Sequence, residues 1–196
     1  MTTVYFIRHA EPDISVHDDF SRPLTPKGAK DCELVTKFLK NKNIQVALSS
    51  PYKRALDTIL PFTKEAELEI EMVENFKERH VSNGWIKDFK AFSMRQWADF
   101  SYKLEGGESL LEVQKRSMKA LKKALAQHSG KNIVVATHGT ALSTIIHYYE
   151  NTYGYADFQS IAGVFPWVVV MTFDEQNGVK IEKIDLFESN LYEEDL

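Results

Sequence analysis

The sequence predicts an α/β protein, a three-layer sandwich whose mostly parallel central sheet carries helices on both faces. Three observations predict it. Short apolar runs at residues 3–8, 44–48 and 132–137 alternate with helix-length segments. Each run stops at a basic or imidazole group or just before one: Arg8-His9, Arg54 beyond Ser49-Ser50-Pro51, and His138. No internal repeat or low-complexity linker divides the 196 residues, so they read as one domain, 1–196, with a cap-like insertion at about 79–106.

The elements follow in order. Residues 3–8 form the first strand, and a polar loop runs over residues 10–24. Thr25 caps the first helix and Pro26 suits its first position, where the missing N–H costs nothing. Cys32, Val35 and Leu39 give that helix an apolar stripe, and Lys40-Asn41-Lys42-Asn43 ends it. The second strand, 44–48, leads to a second helix with Ser50 as its cap and Pro51 as its first residue. Leu68, Ile70 and Met72 alternate with glutamates, as in a short strand at a sheet edge. The segment after Glu78 is rich in aromatics (Trp85, Phe89, Phe92, Trp97, Phe100, Tyr102) and reads as a small helical insertion over the active site. Most of these rings are expected in a satellite core, because aromatics dominate cores. Ser109 with Glu112 matches a capping box ahead of the next helix. The third strand, 132–137, breaks at Thr137-His138-Gly139, and a helix runs on through Tyr149. Two more strands, 167–173 and 179–187, meet at an Asn177-Gly178 hairpin turn, and an acidic tail runs from Glu188 to Leu196.

Composition narrows the function. Apolar residues make up 43% and charged residues 27%, and the net charge is −4, which points away from nucleic acid and membrane surfaces. No apolar run approaches the roughly 18 residues of a membrane span, and the N-terminus lacks a signal-peptide pattern. Cys32 is the only cysteine, so no disulfide framework is possible and the expected compartment is the cytoplasm. The oligomeric state stays open.

Three strand ends on one side of one sheet would gather two fixed cations, Arg8 and Arg54, with two imidazoles, His9 and His138. In open α/β sheets ligands bind beyond the strands' carboxyl ends. The ligand this chemistry suits is a phosphoryl group, whose oxygens match guanidinium donors in bidentate geometry. A His followed by Gly139 at a helix N-terminus is a natural anion-binding arrangement.

Arg8-His9-Ala10-Glu11, Leu24-Thr25-Pro26-Lys27-Gly28, Ser49 through Ala55, Gly107-Glu108-Ser109 and Thr137-His138-Gly139 occur in this order. Together they resemble the histidine phosphatase superfamily, which contains cofactor-dependent phosphoglycerate mutases and many small phosphatases. The resemblance spans about residues 3–150. It implies that His9 is the nucleophile and forms a phosphohistidine. It implies that Arg8, Arg54 and His138 hold the phosphate, with Ser15 and Gly139 as further contacts, and that Glu78 is the proton donor. Glu74 and Glu108 remain alternative donors. Ala10 stands where the family usually has Gly, Pro12 where many members have Thr, and Ser15 where many have a phosphate-contacting Asn.

The physical chemistry of the residues agrees. A nucleophilic imidazole must be neutral, and adjacent Arg8 and Arg54 should oppose protonation of His9. A protonated His138 would add a donor, and a Glu78 beside a bound anion would hold its proton. No metal or other cofactor is called for, because side chains supply the cations. The expected activity is hydrolysis of a small phosphorylated metabolite, by a metal-independent phosphomonoesterase. A phosphoglycerate mutase-type phosphotransferase and a non-catalytic phospho-ligand binder are the alternatives. The short chain and acidic tail favour hydrolysis over mutase chemistry. No His-Glu-x-x-His spacing supports a metal hydrolase. His17 and His80 read as rim or surface groups, His128 as a helix-end residue and His147 as structural.

Overall fold

The computed structural model describes residues 1–84, 86–174 and 176–189. Trp85 of the insertion and the tail from residue 190 onward lie outside the described residues. The six strands are β1 (Thr2–Arg8), β2 (Val46–Ser49), β3 (Ile70–Met72), β4 (Asn132–Thr137), β5 (Trp167–Asp174) and β6 (Gly178–Ile184). They form one sheet in the order β3-β2-β4-β1-β5-β6. β3, β2, β4 and β1 are mutually parallel, and β5 and β6 add an antiparallel edge.

The pleat of β1 explains the two helical layers, because successive side chains point to opposite faces. Val4 and Phe6 join Leu48, Ile133 and Val135 under Met118, Leu121, Leu142 and Ile145. Those helix residues belong to α4 (Leu110–Gln127) and α5 (Gly139–Tyr149). On the other face Ile7 joins Ala47, Val134 and Ala136 under Val35, Leu39, Ile59 and Phe62. These come from α1 (Pro26–Lys40) and α2 (Lys53–Glu65). Arg8 follows Phe6 at the next same-face position, so its side chain leaves the sheet on the α5 side.

The local stop and start signals act as their chemistry dictates. The Thr25 hydroxyl accepts the Gly28 N–H at 2.9 Å, with Pro26 in the first turn. Gly28 has no room for a Cβ, which would collide with the Glu11 carbonyl oxygen. The close packing fixes the chain just beyond His9, and the Thr25 N–H adds a 2.9 Å bond to the same carbonyl. Ser109 and Glu112 form the expected reciprocal capping box on α4.

Four expectations are corrected. β2 covers Val46–Ser49, and the Ser50 N–H still bonds the Ala136 carbonyl at 2.9 Å. Ser50 is therefore held in register with β4 and cannot cap α2, which starts at Lys53 after a Tyr52 with no side-chain cap. β6 ends at Ile184, and Leu186–Ser189 forms the short helix α7. The insertion is mostly loop: its helix is α3 (Phe89–Ala98), capped by Asp88, with a 3-10 turn at Glu74–Phe76 just before it. A further short helix, α6 (Tyr155–Ser160), lies between α5 and β5. Among the described residues, no helix is long and apolar enough to cross a membrane.

Candidate active site

The register of β1 on β4 pairs Arg8 with Thr137, and the His9 N–H bonds the Thr137 carbonyl at 3.1 Å. His9 and His138 thus leave neighbouring strands at the same level, with ring centroids 5.1 Å apart. Gly139, the first residue of α5, is the close approach that makes room: a Cβ there would lie 3.1 Å from Arg8 Nε.

The bonds of His9 fix its tautomer. Nδ1 lies 2.7 Å from the Ala10 carbonyl oxygen, which can only accept, so Nδ1 carries the proton. Nε2 is then a bare lone pair, and it accepts the Arg54 Nε–H at 3.2 Å. His9 is only 5% exposed. Burial, followed by the charges of Arg54 and Arg8, holds its pKa well below the ordinary imidazole value of 6.5. His138 is held down by burial and then by Arg54. His138 is therefore neutral here, so the extra donor that it would supply if protonated is not in place. Its Nε2 lies 2.8 Å from the Ser50 hydroxyl, and its Nδ1 is buried with no partner among the described residues.

The two arginines are held differently. Arg8 donates from Nη1 to the carbonyls of Ile161 and Val164, and its guanidinium lies 3.8 Å from the Phe165 ring centroid. The same Phe165 ring stacks on His9 at 5.5 Å. Burial pushes the Arg8 pKa down to about 10, so it keeps its charge at neutral pH. Arg54, only 3% exposed, touches His9 with Nε, while Nη1 bonds the Asp19 carbonyl at 2.5 Å and Nη2 pairs with the Asp19 carboxylate at 3.1 Å. Burial lowers its pKa and the Asp19 charge opposes that.

Of the three candidate acids, Glu78 sits against this cluster. Its carboxylate accepts the N–H groups of Thr140 at 3.0 Å and Ala141 at 3.2 Å in the first turn of α5, and that of Arg79 at 2.7 Å. Glu74 is exposed and paired with Lys77 at 2.8 Å. Glu108 is taken up by Arg116, at 2.7 and 3.0 Å, and by the His80 N–H. Ser15 stands apart. It is exposed, and its hydroxyl bonds Asp13 at 2.6 Å within its own turn. The short loop hydrogen bond wins over a reach into the site. His147 packs on Phe100 at 4.4 Å with Nδ1 on the Tyr153 carbonyl, and His128 terminates α4.

Five residues join the cluster without having been singled out in the sequence. Thr58 accepts the Ala10 N–H at 2.9 Å and bonds the Arg54 carbonyl at 2.7 Å. Its signal was legible, because it lies one helical turn beyond Arg54. Arg22 adds positive charge that reaches His9. Asp19, Arg22 and Phe165 sit in loops with no periodicity to mark them. Tyr52, 5.1 Å from the His138 ring, was hidden in the expected cap sequence. Among the described residues, no three His, Cys, Asp or Glu gather as metal ligands.

A neutral, desolvated imidazole with a bare Nε2, two buried guanidinia and a nearby carboxylate can bind an anion, attack it and exchange a proton. Comparison with known proteins agrees. Residues 4–183 match the family model described as histidine phosphatase superfamily, branch 1. A metal-independent phosphoserine phosphatase of Arabidopsis thaliana is 30% identical over 164 residues, 74% of this chain and 67% of that protein. A phosphoserine phosphatase of Hydrogenobacter thermophilus is 26% identical over 155 residues, 70% of this chain and 71% of that protein. In fold, the chain superposes on YhfR of Bacillus stearothermophilus with a TM-score of 0.79 and 24% identity, covering 93% of this chain and 96% of that one.

Proposed function

The chain belongs to branch 1 of the histidine phosphatase superfamily and is a phosphomonoester hydrolase, and we propose that it cleaves a small phosphorylated metabolite through a phosphohistidine on His9, with no metal ion. The observation that carries this reading is the His9 tautomer: Nδ1–H is spent on the Ala10 carbonyl and Nε2 is bare beside Arg54. Nε2 attacks phosphorus, the P–O bond to the leaving group breaks, and its electron pair stays on the leaving oxygen. Glu78, in its protonated form, gives that oxygen a proton. Its Oε2 takes one N–H, from Thr140, which leaves capacity for the exchange. Water then attacks the phosphorus, Glu78 takes the proton, and the P–N bond breaks to return neutral His9.

Arg8, Arg54 and His138 hold the phosphoryl oxygens in this reading. Such transfer depends mostly on positioning and charge, which these groups supply without a metal. The 1–196 chain acts as one domain, with Glu78 at the base of the insertion whose residues 79–106 cap the substrate. Phosphoserine is the first substrate to test, because the relatives from A. thaliana and H. thermophilus carry that activity in their names.

The test is phosphate release from phosphoserine, 3-phosphoglycerate and p-nitrophenyl phosphate with EDTA present. Release that survives EDTA and disappears in His9→Ala is the expected result. Loss on EDTA treatment, or near wild-type turnover in His9→Ala, would overturn the reading.

A further inference from the structure

We propose that Asp19 is the positioning residue of the site: it grips one edge of the Arg54 guanidinium so that the other edge is presented to the group bound at His9. The inference rests on the reading of Arg54 as a phosphoryl-holding group.

A guanidinium is a planar fork with five donors. Its end edge is Nη1 with Nη2, and its side edge is Nε with Nη2. In Arg54 the end edge is filled from one residue, with Nη1 on the Asp19 carbonyl at 2.5 Å and Nη2 on the Asp19 carboxylate at 3.1 Å. The side edge is the one facing His9, with Nε 3.2 Å from His9 Nε2. A phosphoryl group arriving at Nε2 would replace that single contact and meet two parallel N–H donors, the strong bidentate arrangement. Releasing the end edge would let the planar group swing and misaim those donors.

Asp19 is itself anchored. The Lys53 N–H bonds the Phe20 carbonyl at 3.0 Å, and the Phe20 ring meets Tyr52 at 5.8 Å, which docks the loop on the start of α2. The same Asp19 oxygen pairs with Arg22 at 3.0 Å. One loop carboxylate therefore holds Arg54 beside the nucleophile and pairs with Arg22, whose charge also acts on His9.

Asp19→Ala, Asp19→Glu and His9→Ala would be compared with wild type by steady-state kinetics on p-nitrophenyl phosphate and by inhibition with orthovanadate, a mimic of the pentacoordinate phosphoryl transition state. A small misplacement of a positioning group costs up to about 100-fold. Asp19→Ala should lose about 10- to 100-fold in kcat with a smaller change in KM, and Asp19→Glu should recover part of it. The vanadate inhibition constant should rise in step with the fall in kcat/KM. A residue that merely held the loop folded would lower the active fraction and leave that constant unchanged, which would overturn the proposal. So would wild-type kinetics in Asp19→Ala alongside an inactive His9→Ala. Retained activity in His9→Ala would instead remove the phosphohistidine reading, and the inference with it.

Discussion

The strand-end cluster and the insertion after Glu78 both bury polar groups, but they spend them differently. In the insertion the polar contacts close on neighbouring parts of the same region, while Arg79 Nε, Ser93 Oγ and Trp97 Nε1 are buried with no partner among the described residues. Arg79 donates to the Gln96 side chain between the Phe89 and Phe92 rings, and the Gln96 amide donates to the Tyr102 and Glu108 carbonyls. Trp97 and Phe100 pack on His147, Tyr153 and Phe158, tying α3 to α5 and α6. In the strand-end cluster Arg54 donates to His9 Nε2, the charges of both arginines act on that imidazole, and the buried His138 Nδ1 and Arg8 Nε likewise have no partner among the described residues. Buried polar atoms without partners cost free energy. Both regions bear that cost, so the difference lies in charge: the strand-end cluster gathers two buried guanidinia and two buried imidazoles beside the Glu78 carboxylate, whereas the buried Arg79 of the insertion is held by Gln96 and aromatic rings.

The largest expected effect that could break this contrast is at Arg54. Arg54→Ala should cost on the order of 2–5 kcal/mol in kcat/KM, the range for removing one partner of a buried charged contact. Arg54→Lys should recover only part, because an ammonium cannot supply the fork. Equal activity in all three proteins would refute a phosphoryl-holding role. Next is Glu78→Gln, expected to slow turnover of phosphoserine by about 100-fold or more, within the usual range for acid–base groups. The loss should be smaller with p-nitrophenyl phosphate, whose leaving group departs without a proton. A Glu74→Gln variant, altered at a solvent-exposed ion pair, should keep wild-type rates on both.

Phe92→Ala probes the other region. The ring is 7% exposed, and its removal should cost about 3–5 kcal/mol of unfolding free energy in denaturant titrations. kcat per folded molecule should hold much better than in the Arg54 variant. A catalytic collapse in Phe92→Ala without loss of stability would erase the distinction between the two regions.

The smallest effect is on the pH dependence of stability. His9 and His138 are both held below 6.5 in the folded state, so the unfolded chain takes up their protons first. Their contribution is intact above pH 6.5 and is lost as pH falls from there toward their folded values. The slope is up to about 1.4 kcal/mol per pH unit for each histidine. Denaturant titrations between pH 7 and 5 should show this fall, and His138→Gln should shallow it by about one proton. A stability flat over that interval would contradict the neutral, buried imidazoles.

What could be read from the sequence follows from how local each signal is. Thr25-Pro26 and the Ser109/Glu112 box act within one helical turn, and both function as expected. The strand ends were legible because an apolar run that stops at Arg8-His9 or before His138 shows both the strand and its mouth. Ser-Ser-Pro has the chemistry of a cap, and only the pairing with β4 turns the Ser50 hydroxyl to His138. Asp19 and Phe165 reach His9 or Arg54 through loop geometry that no spacing encodes, and Ser15 was drawn away by Asp13. The cations of the site were visible, and what aims them was not.

The most direct test of the account is mass-spectrometric mapping of the protein quenched during turnover of phosphoserine or p-nitrophenyl phosphate, under conditions that preserve acid-labile phosphoryl groups. The account predicts one added phosphoryl group on the peptide carrying His9, absent in His9→Ala. A phosphoryl group on the His138 peptide instead, or turnover persisting in His9→Ala, would contradict it.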